Sequence, residues 1–212
     1  MGDKDIGYLT AKEDYCVSWA AVDLESGIHR SEISICSELN TNDCLLWRLD
    51  VGNQTSLCIA DLEFKEGVRY VAKIRTENNV GLYTELLSDG FVVDTTPPFM
   101  GEIIYTDILK QTEEDTAEIF TNSQITVQWN GFWDKESGIQ TCYVCVGTQP
   151  GECNIKNFTD VRNATSFTFQ DLPLLQGERY FVSVKAENRA GLKSEVKTSD
   201  AVVVDKTGKL ET

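Results

Sequence analysis

One block of residues is written twice in this sequence. The first copy reads Trp19, Asp23, Glu25-Ser26-Gly27-Ile28, then Leu62, Tyr70, Asn78 and Gly81-Leu82; the second reads Trp129, Asp134, Glu136-Ser137-Gly138-Ile139, then Leu172, Tyr180, Asn188 and Gly191-Leu192. Tyr70 and Tyr180 stand 110 residues apart, and the spacings around them agree. A repeat that keeps its spacing through turns and strands alike constrains architecture first, and function only through architecture.

With 212 residues and this period, each copy is long enough to bury a core of its own. Two domains are expected, residues 1–96 and 97–212, joined at Asp94-Thr95-Thr96-Pro97-Pro98, where two prolines stiffen the junction and favour an end-to-end arrangement. Acidic residues dominate both halves: 17 against 8 basic residues before Phe99, and 17 against 11 from there on, for a formal charge of -15. Such a surface repels nucleic-acid backbones and anionic lipid. The longest apolar runs, Phe91-Val92-Val93 and Ala201-Val202-Val203-Val204, are far too short to insert in a membrane. The opening Met1-Gly2-Asp3-Lys4 has no apolar signal segment, which leaves a cytosolic chain or an excised piece of a larger protein.

The cysteines separate those two. Cys36 and Cys44, and again Cys145 and Cys153, are eight residues apart, just after the strand that follows each Ser-Gly-Ile. Two equivalent short-range pairs are what a duplicated disulfide leaves, and disulfides persist in oxidising compartments. Three glycosylation sequons begin at Asn53, Asn157 and Asn163, the first and third at equivalent turns. A sequon alone is a weak signal, because Asn and Thr are also ordinary turn residues. Together with the cysteine pairs they point to an extracellular glycoprotein, secreted or membrane-anchored.

Strand signals run through the whole chain. Cys16–Trp19 matches Ile125–Trp129, Glu32–Ile35 matches Tyr143–Val146, and Ser56–Ile59 matches Ser166–Phe169. In Tyr70–Thr76 and Tyr180–Ala186 the aromatic and aliphatic side chains alternate with Lys, Arg or Ser, the pattern of a half-buried antiparallel strand. No segment sustains a helical period, so the expected class is all-β.

These landmarks resemble the fibronectin type III domain, over nearly all of both halves: a Trp on the second strand, a Leu eight residues before the Tyr of the penultimate strand, and N-x-x-G after it. The resemblance implies two tandem immunoglobulin-like β-sandwiches, three strands facing four. It makes Trp19 and Trp129 central core residues, and Tyr70 and Tyr180 tyrosine corners bonded to backbone near Leu62 and Leu172. The D-x-E-S-G-I and V-V-D-T-T-P-P variants are similar to repeats in metazoan cell-surface and matrix proteins. The copies differ at the opening strand. Few residues precede Trp19, whereas about thirty separate the junction from Trp129, including Glu113-Glu114-Asp115.

Chemistry-bearing motifs are sparse. Asp23, Glu25, Asp134 and Glu136, with Asp94 and Asp205 at domain ends, supply the oxygens calcium requires; the alternative is that each Asp caps its own turn and each Gly takes the left-handed conformation there. Cys142-x-x-Cys145 imitates a redox or zinc motif, but it lies within a strand, and the sole histidine, His29, is in the other domain. If Val144 and Val146 face the core, so does Cys142, while Cys145 faces outward beside Cys153. Cys142 is then a buried free thiol or, alternatively, half of an intermolecular bridge. Cys16 and Cys58, on neighbouring strands, are left to pair. No nucleophile elbow, general base or phosphate loop is present, so neither catalysis nor a cofactor is expected.

For binding, the hairpin closed by Cys36 and Cys44 carries Leu46 and Trp47, and its counterpart carries Phe158. A rigid loop with an aromatic residue is a candidate hot spot. Against this, the position is aromatic in both repeats, and repeated aromatics usually tuck under a sandwich edge. There is no R-G-D tripeptide and no W-S-x-W-S box. The expectation is a non-catalytic protein-recognition or adhesion module with a protein partner, or else a structural spacer.

Overall fold

The computed structural model describes residues 7–10, 14–106, 110–111, 117–120 and 123–206. The acidic stretch Glu113-Glu114-Asp115 lies outside these residues. By contacts the chain divides into two compact units, Met1–Thr96 and Pro97–Thr212. Every regular element among the described residues is a strand.

The first unit contains β1 (Tyr8–Leu9), β2 (Tyr15–Ser18), β3 (Ile28–Ser37), β4 (Asn40–Gly52), β5 (Ser56–Ile59), β6 (Arg69–Asn78), β7 (Tyr83–Leu87) and β8 (Phe91–Val93). Its larger sheet runs β1-β8-β6-β3-β4 with β7 also on β6, and its smaller sheet is β2-β5 alone. The second unit contains β9 (Glu102–Tyr105), β10 (Lys110–Gln111), β11 (Ala117–Phe120), β12 (Ile125–Asn130), β13 (Ile139–Gly147), β14 (Lys156–Arg162), β15 (Ser166–Phe169), β16 (Arg179–Asn188), β17 (Lys197–Thr198) and β18 (Val202–Asp205). There the larger sheet runs β10-β11-β18-β16-β13-β14 with β17 on β16, and the smaller is three-stranded, β15-β12-β9.

Alternation along the strands builds each core. On β16 Tyr180, Val182, Val184 and Ala186 are buried between the sheets, and on β6 Tyr70, Ala72 and Ile74 do the same. Each fully buried aliphatic side chain contributes about 1.5–3 kcal/mol. The tyrosine corners form as the resemblance implies, with a definite direction: the Lys65 amide donates to the Tyr70 hydroxyl at 3.1 Å and the Leu175 amide to the Tyr180 hydroxyl at 2.9 Å. The bonded amides lie three residues beyond Leu62 and Leu172. Each locks the loop that leads into the penultimate strand.

The copies part company at the smaller sheet. Trp129 is 3% exposed and central to its core. Trp19, expected to be its equal, is only half-buried and packs at the margin of its cluster. Strand content explains the difference. In the second unit β9 runs antiparallel to β12, pairing Ile103 with Trp129 and Ile104 with Gln128, and shields the indole. In the first unit, among the described residues, β2 pairs only with β5.

Three disulfides join Cys16 to Cys58, Cys36 to Cys44 and Cys145 to Cys153. The last two are not at equivalent positions. Cys36 faces Val71 on β6, whereas Cys145 faces Ser183, two residues off in register once Tyr70 is matched to Tyr180. Cys44 is on β4 directly across from Cys36, while Cys153 sits in the loop before β14. The shared eight-residue spacing therefore joins two different local structures. Cys145 does point away from the core strip of Val144 and Val146, yet it is fully buried, because the loop carrying Cys153 folds over it.

Candidate functional site

The duplicated motif forms a clasp between two turns. One carboxylate oxygen of Asp23 accepts the amides of Glu25, Ser26 and Gly27, and the other accepts the Asn78 side-chain amide at 3.0 Å. The Asn78 side-chain oxygen in turn accepts the Leu82 amide at 2.9 Å. Asp134 repeats this with Ser137, Gly138 and Asn188, and Asn188 accepts Leu192 at 2.8 Å. Gly81 and Gly191 have φ of 85° and 86°, which lets the chain double back to deliver those leucine amides. Hydrogen bonds from the Ser26 amide, the Asn78 side chain and the Glu25 amide hold the Asp23 carboxyl down at about 2. Burial pushes Asp134 up, but the Asn188, Ser137 and Gly138 bonds outweigh it and the net shift is down. Both carboxylates therefore take the turn role anticipated as the alternative to calcium. The partnership of Asp with the distant Asn was not foreseen.

Cys142 is free and buried on the core face, beside Val144. Burial pushes its thiol up, while a hydrogen bond from the Trp129 indole pulls the other way. The sulfur is thus the acceptor for the one polar atom of the core tryptophan. In the first unit the residue at this place is Ser31, whose hydroxyl is engaged with Thr76 at 3.1 Å. The Trp19 indole nitrogen is buried there without a partner.

The candidate binding residues separate. Trp47 is 57% exposed on β4, with the Arg48 guanidinium 5.7 Å from its ring and Glu32, Lys73, Arg75 and Glu85 around a shallow depression beside it. The expectation that it tucks under an edge fails. Sheet register shows why: Ile33 pairs with Leu49 and Val144 with Thr159, so Trp47 corresponds to Asn157 and the two aromatics are not equivalent. Phe158 is half-buried beneath the Lys185 ammonium at 4.1 Å, and Leu46 packs partly against the core. Asn53 and Asn163 occupy the same exposed turn in each unit, and Asn157 is exposed on β14. His29 is exposed.

Sequence reasoning also missed a groove. A groove of about 490 Å³ opens beside Trp19, between the chain leaving β2 and the face of β7, lined by Val22, Ile74, Leu82, Tyr83 and Leu86 among others. Among the described residues no strand equivalent to β9 covers it.

Comparison with known proteins reaches the fold. Titin domains A168-A170 match 94% of this chain at a TM-score of 0.58 with 14% identity, and the chain spans 62% of that structure. The fibronectin(III)-like modules of Clostridium thermocellum CbhA align at 13% identity and a TM-score of 0.46, covering 97% of this chain and 92% of theirs. The FN1-FN3 domains of chicken CNTN1 align at 13% identity and 0.47, covering 96% and 64%. No family model matches the sequence, and no curated protein does. Strand order, tyrosine corners and the titin likeness make each unit a fibronectin type III-like β-sandwich.

Proposed function

We propose that this chain is a non-catalytic protein-recognition or adhesion module acting outside the cell. The observation that carries the reading is Trp47: a large aromatic side chain more than half exposed, on a strand held at its start by the Cys36–Cys44 disulfide, among charges of both signs. Such an anchor loses little entropy on docking, and aromatic residues flanked by arginine are favoured at interface centres. Three disulfides and three exposed sequons support an oxidising, extracellular setting. The acidic surface disfavours nucleic acid or anionic membrane as the partner.

The test is binding of the biotinylated chain, tetramerised on streptavidin, to intact cells and to extracellular matrix. Saturable binding that drops about ten-fold in Trp47→Ala, the loss of a hot-spot residue, supports recognition. Absence of binding at any density, with glycans on Asn53, Asn157 and Asn163 by mass spectrometry, supports the spacer reading instead.

A further inference from the structure

Strand alternation sorts the side chains of the β2-β5 sheet in the first unit. Tyr15 and Val17 on β2, and Leu57 and Ile59 on β5, pack in and against the core. The residues between them, Cys16 and Ser18 on one strand and Ser56 and Cys58 on the other, face away from it, and all four are exposed. Cys16 lies directly across from Cys58, and Ser18 across from Ser56. The Cys16–Cys58 disulfide thus sits on the outer face of the sheet, and the next pair along that face is two small hydroxyl side chains.

The other two disulfides are more enclosed. Cys36 is 1% exposed on β3, and Cys145 is 0% exposed, its sulfur 3.9 Å from the Glu152 carbonyl in the loop that covers it. Their partners, Cys44 and Cys153, are half-buried. Thiol–disulfide exchange requires a thiolate to reach a disulfide sulfur, so access decides which bond of a folded protein reacts first. Each of these two bonds offers an incoming thiolate one enclosed sulfur and one half-covered sulfur, whereas Cys16–Cys58 offers two on an open face. Position also gives that bond a consequence. It closes a sequence separation of 42 residues and ties β2 to β5 covalently, where the second unit has Thr126 across from Thr168.

We propose that Cys16–Cys58 is a thiol-exchange site, cleaved in the folded protein by a dithiol, and that its cleavage loosens the first unit alone. One thiolate of the dithiol attacks the sulfur of Cys16 or Cys58. The S–S bond breaks, a mixed disulfide forms, and the other cysteine leaves as a thiolate that takes up a proton. The second thiol of the dithiol loses its proton and attacks the dithiol's own sulfur in the mixed disulfide. That step closes a disulfide within the reagent and releases the remaining cysteine, which is protonated in turn. Two electrons pass from the dithiol to the protein, and no other reactant is consumed. Trp47, on β4 of the other sheet, plays no part in this chemistry.

The probe is dithiothreitol at neutral pH, added in excess to the full 212-residue chain, with new thiols alkylated at intervals and located by peptide mass mapping. Cys16 and Cys58 are expected to be alkylated about ten-fold or more faster than Cys36 and Cys44. Both bonds belong to one unit, so cleavage by way of unfolding would expose them together and label all four cysteines at similar rates; that outcome overturns the proposal. Earlier cleavage of Cys36–Cys44 or Cys145–Cys153 overturns it as well. Ser56→Trp, which sets a bulky side chain beside the bond, is expected to slow its cleavage several-fold and leave the other two bonds unaffected, and an unchanged rate would remove access as the cause. In chain reduced only at Cys16–Cys58, amide exchange along β2 and β5 is expected to quicken about ten-fold or more while β12 and β15 keep their rates. Unaltered exchange in β2 and β5 contradicts the loosening assigned to cleavage.

Discussion

The two units solve one packing problem in two ways. In the second, β9 completes a three-stranded sheet, Trp129 is enclosed, and on the β12–β15 ladder the side chains of Thr126 and Thr168 share a hydrogen bond at 3.1 Å. In the first, β9 has no counterpart among the described residues, Trp19 is half-buried, and at the same register position Cys16 and Cys58 form a disulfide. A covalent link constrains the unfolded chain, whereas an added strand buries more of the folded one. The difference teaches that, among the described residues, two copies of one sandwich hold the same strand pair differently, one by an added strand and the other by a cross-strand disulfide.

The sharpest way to break this comparison is to truncate the two tryptophans. Trp129→Ala is expected to cost about 3–5 kcal/mol in urea denaturation of its unit, and Trp19→Ala roughly half that, because much of Trp19 already faces solvent. Equal losses would mean that the first core is as closed as the second. Removing the disulfide comes next. Replacing Cys16 and Cys58 together by Ala releases a 42-residue separation and should destabilise the first unit by about 4 kcal/mol, against about 2.5 kcal/mol for the eight-residue Cys145–Cys153 link. A result in the opposite order would remove the compensating role assigned to the first bond.

The smallest effect concerns the clasp. Asp23 is held at about 2 in the folded protein, below its ordinary value of 3.8. Its contribution is therefore full above about 4 and disappears as pH falls through 2, since only the folded state resists protonation. Thermal unfolding between pH 5 and 2 should show a steeper loss in the native chain than in Asp23→Asn. Parallel curves would separate the carboxylate from the clasp.

Much of this was legible in the residues. Tyr70 and Tyr180 announced their corners because the fold ties one side chain to one loop at fixed spacing. The pairing of Cys16 with Cys58 followed from two strands that had to be neighbours. Other features depend on register or on distant partners, which spacing does not carry. Asp23 and Asn78 are 55 residues apart, so their bond is invisible in a local motif, although their joint repetition at Asp134 and Asn188 was a usable signal. The two-residue offset between Cys36 and Cys145 hid behind identical spacing within each pair. Trp47 and Phe158 looked equivalent because the stretch from Ile35 to its partner Leu46 is one residue longer than that from Val146 to its partner Lys156, an offset visible only in the sheet register. The groove could not be read at all, since it depends on β9, which has no counterpart among the described residues of the first unit.

The central claim, that the described residues close one copy of the sandwich with a strand and leave the matching edge of the other uncovered, is tested most directly by amide hydrogen exchange on the native chain at four positions. Gln128 and Asn130, which face β9, should be protected, while Ser18 and Ala20 at the matching edge should exchange at rates close to those of an unstructured peptide. Comparable protection at all four amides would contradict it.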